Sequence, residues 1–391
     1  MAEGGVSAEP TRAGVVARNL VIKQLPLGKR IRYYAAAVLL SKLFPVLTAV
    51  VERLGRLLGY ISASAPDIVK SYPARKNLTV RIFIPPSATP GAKLPTLLTI
   101  HGGGFLIGSP SDNDAWNRQF ADAHSFLVVA LDYRKSPFFT FPTPVYDLEA
   151  LIACVLADGT LPLDPARVAV AGFSAGGNLS LAVSQLPSVR PRIRAAVPVY
   201  PVVDLSEPSA HKLLTRPYKP RLGGFRGSPA DFLKPLIGVF NWAYLDVGQR
   251  TDDPLLSPFY ASPDALPSSV FIVACELDML AAEAWRMACR LAGKPVPSDH
   301  AVVGAEDHLA GHGKLITQGD ERYAWEVVLE GGKRRYRWLL VPDTTHAFDQ
   351  EGSRQVALDP VFAEDAVEKT KLTIDLIGKW LLDGPLKVEE A

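Results

Sequence analysis

Short runs of almost unbroken apolar residues recur along this chain, at 97–100 (LLTI), 126–131 (FLVVAL), 168–171 (VAVA), 195–200, 270–275 and 336–341. A strand with one wet face alternates apolar and polar residues, so uninterrupted runs of this length require strands covered on both faces, as in a parallel sheet. Residues 78–84 (LTVRIFI) alternate instead and read as a half-buried strand. Between the runs lie helix-like stretches at 146–157, 175–186, 280–292 and 360–382. Strands alternating with helices predict a doubly wound α/β architecture. No period of tens of residues recurs, which excludes repeat folds.

Directly after VAVA and directly before a helical stretch stands Gly172-Phe173-Ser174-Ala175-Gly176. G-x-S-x-G between a strand and a helix is the sequence of a nucleophile elbow, a strained turn that projects a serine from the sheet's carboxyl edge. The small residues leave room for the backbone to pack closely around a serine in an unfavourable conformation. A serine hydroxyl at its free pKa is a weak nucleophile, so Ser174 needs a base and an acid to orient that base. His101-Gly102-Gly103-Gly104 follows the strand LLTI. Consecutive glycines let backbone N–H groups approach an oxygen, and with the N–H of Ala175 this loop can supply an oxyanion hole. His101 precedes the elbow and reads as an organiser of the glycine turn.

In folds with this elbow the acid and then the histidine follow the serine in the chain. Asp278 lies just past the strand 270–275 and is the expected acid, with Glu276 its competitor. Among His300, His308, His312 and His346, only His346 closely follows a buried strand and precedes the last helix. His346 is therefore the expected base. His308 and His312 are spaced i, i+4, a separation that can serve a metal on a helix, but the segment is glycine-rich and has no clear third ligand. No metal or cofactor is expected.

The blocks HGGGF, DYRKSPFFTFP, GFSAGGN, SPFYASPDALPSSVFIVACELDML and HAFDQ occur in this order and together resemble the hormone-sensitive-lipase-like group of α/β-hydrolase-fold esterases. The resemblance spans about residues 78 to 382. It implies an α/β-hydrolase fold, a mostly parallel sheet flanked by helices, and serine esterase activity on carboxylic esters. It implies Ser174, Asp278 and His346 as the triad and Gly103, Gly104 and Ala175 as oxyanion donors. It further implies a helical cap over the acyl pocket, from the N-terminal segment and the residues after Leu205. The chain departs from the group's pattern at Phe173, where many members carry Asp or Thr. A second departure is a longer segment between the acid and the histidine.

The motif order divides the chain into an N-terminal arm with cap helices (1–75) and a catalytic unit (76–391). That unit carries a cap insertion at about 205–258 and the atypical insertion at about 293–335, in which WEVVLEGGKRRYRW reads as a hairpin turning at Gly331-Gly332. Composition bears on partners. With 42 Lys and Arg against 40 Asp and Glu, the formal charge is +2, which excludes the basic surplus of a nucleic-acid binder. The expected partner is a neutral, moderately hydrophobic small-molecule ester.

Cys154, Cys275 and Cys289 all sit in apolar runs, and with no recognisable leader this predicts a cytoplasmic protein. Membrane association is the alternative, because Tyr33 to Val51 approaches the ~20 apolar residues of a membrane span. Lys42 and Pro45 interrupt that stretch, and a lysine in mid-span costs about 2.5–3.5 kcal/mol. A helix lying on the protein or on a membrane surface is therefore expected. Alternative functions on the same triad are a lactonase, thioesterase or deacetylase of secondary metabolism. A non-catalytic receptor on this fold would be expected to have lost a triad member, and all three are present.

Overall fold

The computed structural model describes residues 18–57, 63–305, 313–357 and 359–388. Among these residues nine strands form one sheet: β1 (Ile68–Ser71), β2 (Thr79–Phe83), β3 (Leu94–Ile100), β4 (Leu127–Leu131), β5 (Leu163–Phe173), β6 (Ala195–Val199), β7 (Ser269–Cys275), β8 (Ala324–Leu329) and β9 (Arg334–Val341). Their order is β1-β2-β4-β3-β5-β6-β7-β9-β8. The six strands from β4 to β9 in that order run parallel, while β1, β2 and β8 pair antiparallel at the edges.

Each uninterrupted apolar run of the sequence lies in a parallel strand buried on both faces. Leu98, Val129, Val170 and Ile272 face one core, and their chain neighbours Leu97, Val128, Ala169 and Phe271 face the other. Helices α3 (Thr143–Leu156), α4 (Ala175–Val183) and α7 (Ala281–Leu291) cover the first core through Leu151, Leu179 and Met287. Helices α2 (Asp114–His124) and α9 (Pro360–Asp383) cover the second through Trp116, Phe120 and Trp380. Fully burying a side chain of this size contributes about 1.5–3 kcal/mol. The 325–338 segment forms the expected hairpin, with Leu329 opposite Arg334 and Gly331 at φ +64° in the turn.

Above the sheet's carboxyl edge lie α5 (Ser209–Leu214) and α6 (Lys234–Tyr244), both within the 205–258 segment. Helix α1 (Leu27–Leu57) takes in Tyr33 to Val51, runs through Pro45 and packs on α6. Tyr33 fits against Gly238, where a Cβ would stand 2.5 Å from the tyrosine hydroxyl. The sheet begins at β1, ahead of residue 76, because the exposed tetrapeptide IVKS carries no buried-strand pattern and is held by pairing with β2. Within the 293–335 segment β8 extends the sheet and Val303 is fully buried. A small terminal helix, α8 (Glu351–Val356), precedes α9.

Candidate active site

Parallel register brings distant residues together. Ile100 at the end of β3 pairs with Gly172 near the end of β5, Phe173 with Val199, Val199 with Val273, and Cys275 with Val341. The chain therefore leaves five neighbouring strands on one edge, at His101, Ser174, Tyr200, Glu276 and Pro342. Ser174 sits in the turn at φ +56°, ψ −116°, a strained conformation for a residue with a Cβ. The flanking glycines permit that turn. A Cβ on Gly172 would stand 2.0 Å from the Gly176 carbonyl oxygen, and one on Gly176 would stand 2.1 Å from that of Ile100. Phe173 is fully buried, edge-on to Trp116, so this departure from the group's pattern is a packing residue.

His346 Nε2 lies 2.8 Å from Ser174 Oγ, and His346 Nδ1 lies 2.7 Å from Asp278 Oδ2. With Nδ1–H donating to the carboxylate, Nε2 is left to accept the serine proton. Asp278 Oδ1 accepts the Leu280 N–H at 3.0 Å, which fixes the carboxylate. Asp278 and His346 are buried and Ser174 is half-buried. Burial lowers the His346 pKa, but the charge and hydrogen bond of Asp278, then Asp231 and Asp349, outweigh it and hold it above the ordinary value. The arrangement can move a proton from Ser174 to His346 and hold the resulting imidazolium against Asp278.

The glycine loop stands beside the elbow because β3 and β5 are neighbours. Gly103 and Gly104 have φ +105° and +59°, and a Cβ on Gly104 would overlap the Phe240 ring at 2.3 Å. Among the described residues their N–H groups have no acceptor, and Ala175, the first residue of α4, has no intrahelical one. His101 belongs to the loop: its Nδ1 is 2.8 Å from the Gly102 carbonyl and its Nε2 is 3.2 Å from Asp132. Its ring stacks on Tyr133.

Glu276, the competing acid, faces elsewhere. Its oxygens accept from Lys219 Nζ at 2.7 Å, Tyr323 Oη at 2.7 Å and the Asp343 and Ala305 N–H groups. It ties the cap and the 293–335 segment to the sheet. His300 lies against His211, 3.3 Å away. His308 and His312 lie outside the described residues, among which no group of three or more His, Cys, Asp and Glu could hold a metal ion.

Ser174, Ala175 and Gly104 open into a pocket walled by Phe105, Val202, Leu205, Leu233, Ile237, Phe240 and Leu280, with Glu207, Ser209, Lys212 and Asn241 as its polar lining. Among the described residues α1 does not line this pocket; it braces α6, which does. Lys212 donates to the Asp204 carbonyl at 2.6 Å and pairs with Glu283, whose carboxyl burial pushes up to about 7.

Sequence reasoning missed the groups that surround the histidine. Asp231 accepts the Met279 N–H at 2.9 Å, and the Phe232 ring lies 6.0 Å from that of His346. Tyr200, 4.7 Å from the His346 ring, donates to Asp349, whose carboxyl burial pushes up to about 6. Asp349 stood in the HAFDQ block, three residues past His346, and was legible there. Asp231 lies in a proline- and glycine-rich cap stretch without a motif.

The raised pKa of His346 has a kinetic consequence. A base must be unprotonated, so kcat/KM is expected to fall as pH drops through a midpoint above the ordinary histidine value of about 6.5. Asp231→Asn keeps an acceptor for Met279 and removes one of the charges that raise His346. Its acid limb is expected to move to lower pH. A pH–kcat/KM profile checks this, and an unmoved limb would show that Asp231 does not act on the histidine.

The chain matches the family described as α/β hydrolase fold over residues 97–312. It is 31% identical to an arylesterase of Saccharolobus solfataricus over 228 residues, covering 57% of this chain and 69% of that protein. It is 30% identical to an ethyl acetate hydrolase of Pseudomonas putida over 252 residues, covering 63% and 75%. An esterase structure from Pyrobaculum calidifontis superposes over 93% of this chain and 100% of its own, with a TM-score of 0.61 at 21% identity, a likeness of fold. By its sequence matches, its strand order and its elbow, the chain belongs to the α/β-hydrolase fold family, in its hormone-sensitive-lipase-like carboxylesterase group.

Proposed function

We propose that this carboxylic ester hydrolase works through Ser174, His346 and Asp278, and the observation that carries the reading is the continuous hydrogen-bonded chain from Ser174 Oγ through His346 to Asp278. His346 Nε2 takes the hydroxyl proton as Ser174 Oγ attacks the ester carbonyl, and Asp278 holds the tautomer and balances the imidazolium. The developing oxyanion sits among the N–H groups of Gly103, Gly104 and Ala175. Losing one such donor costs about 2.7–4 kcal/mol in the transition state. His346 then returns its proton to the departing alkoxide. Water deprotonated by the same nitrogen attacks the acyl-enzyme, and Ser174 leaves with its proton restored as the carboxylic acid is released.

The substrate is a small-molecule ester, and the apolar pocket walls support a neutral, moderately hydrophobic one. The free thiols of Cys154, Cys275 and Cys289 support a cytoplasmic, reducing setting. Membrane contact through Tyr33 to Val51 would lie along the surface, since no helix among the described residues is long and apolar enough to cross a membrane.

A panel of acyl esters, lactones and thioesters tests the reaction class. Acyl esters are expected to turn over fastest, with an initial burst of alcohol where deacylation limits the rate. A lactone or thioester turned over faster than every ester would replace this reading with the corresponding specialised hydrolase.

A further inference from the structure

Apolar side chains cover more than one face of α1. Tyr33, Ala36, Ala37 and Leu40 pack toward α6, with the Tyr33 ring 6.3 Å from that of Trp242. Away from that contact Leu27, Ile31, Leu39, Leu43, Val46 and Val50 are each 57–68% exposed. Spacing by three and four residues puts Leu39, Leu43, Val46 and Val50 in one strip beside the face packed on α6, and Leu27 and Ile31 in a shorter strip about a third of a turn further round. Scattered exposed leucines need no explanation, but the strip of four large apolar side chains from Leu39 to Val50 on one helix marks a docking surface.

Charge identifies the occupant. From Asn19 to Val51 the chain carries Lys23, Lys29, Arg30, Arg32 and Lys42 and no acidic residue, although the whole protein is almost neutral at +2. Among the described residues none of these five cations has a carboxylate partner. The Lys42 ammonium lies 4.9 Å from the ring of Phe138, itself 55% exposed, so the loop before α3 continues the apolar surface. A second copy of the chain seated on this face would oppose cation to cation. An anionic lipid surface accepts both the apolar side chains and the charge.

We propose that α1, with Phe138, lies in the plane of an anionic bilayer surface, its outer side chains at the boundary between headgroups and acyl chains. Lys42 extends along the ring of Phe138 toward the headgroups. Because α6 bridges α1 and the pocket through Ile237 and Phe240, docking sets the pocket one helix away from the lipid. Resting on the ester-hydrolase reading, this assigns the substrate to lipophilic esters that partition into membranes.

Vesicle flotation of the full chain tests the docking without using catalysis, so loss of esterase activity and loss of docking are separate outcomes. The wild type is expected to float with phosphatidylcholine vesicles containing about 30% phosphatidylserine, less with phosphatidylcholine alone, and less as salt is added. Leu39→Glu with Leu43→Glu is expected to lower partitioning by about tenfold or more. These positions lie outside the pocket, so turnover of a water-soluble short ester should stay at the wild-type rate. Arg30→Glu with Arg32→Glu leaves the apolar face intact and should reduce binding to anionic vesicles alone, by about tenfold or more. A wild type that stays unbound by anionic vesicles at low salt would overturn the proposal. So would a stable dimer, seen by light scattering, that Leu39→Glu with Leu43→Glu dissolves.

Discussion

Ser174→Ala is expected to lower kcat for ester hydrolysis by about 10⁵-fold or more while the fold is retained, because it removes the atom proposed to bond to the acyl group. Alanine is smaller than serine and keeps the backbone compatible with the turn, whose φ of +56° is imposed by Gly172 and Gly176 on either side. Among the described residues the hydroxyl hydrogen-bonds to His346 alone. Thermal melting should therefore change little, and the loss belongs to chemistry. Substrate binding is expected to survive, since the apolar pocket walls are untouched. Steady-state kinetics with circular dichroism checks both halves.

Asp278→Asn is the second large effect, expected at about 10⁴-fold in kcat. An asparagine amide at this position can donate toward His346 Nδ1 where the carboxylate only accepted. The imidazole would then carry its proton on Nε2, the nitrogen that must receive the Ser174 proton. The substitution also removes the leading charge that raises the His346 pKa, so the residual activity should show an acid limb at lower pH than the wild type. Glu276→Gln is the informative contrast. Glu276 holds Lys219, Tyr323 and two backbone N–H groups, so its loss should lower the melting temperature and leave the acid limb in place. Rates and pH profiles of the two variants, compared side by side, separate the acid that orients the base from the acid that fastens the cap.

The central sheet was legible because its chemistry is local. Residues 126–131 can be uninterruptedly apolar only in a strand covered twice, and Leu127–Leu131 is fully buried between two helical layers. The elbow was legible for a similar reason, since Gly172 and Gly176 answer backbone contacts of about 2 Å that admit no side chain. Where pairing alone makes the structure, the sequence is silent. β1 is exposed and held by β2, and Asp231, whose charge acts on the histidine, lies in a cap without periodicity. The helix over Tyr33 to Val51 was expected from its apolar run, whereas charge summed over 391 residues hides its positive stretch of about thirty. Helix α1 carries no clean amphipathic signal either. Apolar side chains packed on α6, exposed beside that face at Leu39 to Val50, and exposed opposite it at Leu27 and Ile31 leave little of the circumference to polar residues.

Acylation of Ser174 during turnover is the step on which the proposed mechanism stands or falls. Peptide mapping by mass spectrometry, after reaction with an aryl phosphonate ester, tests it most directly. One adduct per chain is expected, on Ser174, with activity lost in proportion to labelling and neither labelling nor activity in Ser174→Ala. An adduct on Ser209, which lines the same pocket, or full turnover by enzyme already modified at Ser174 would contradict it.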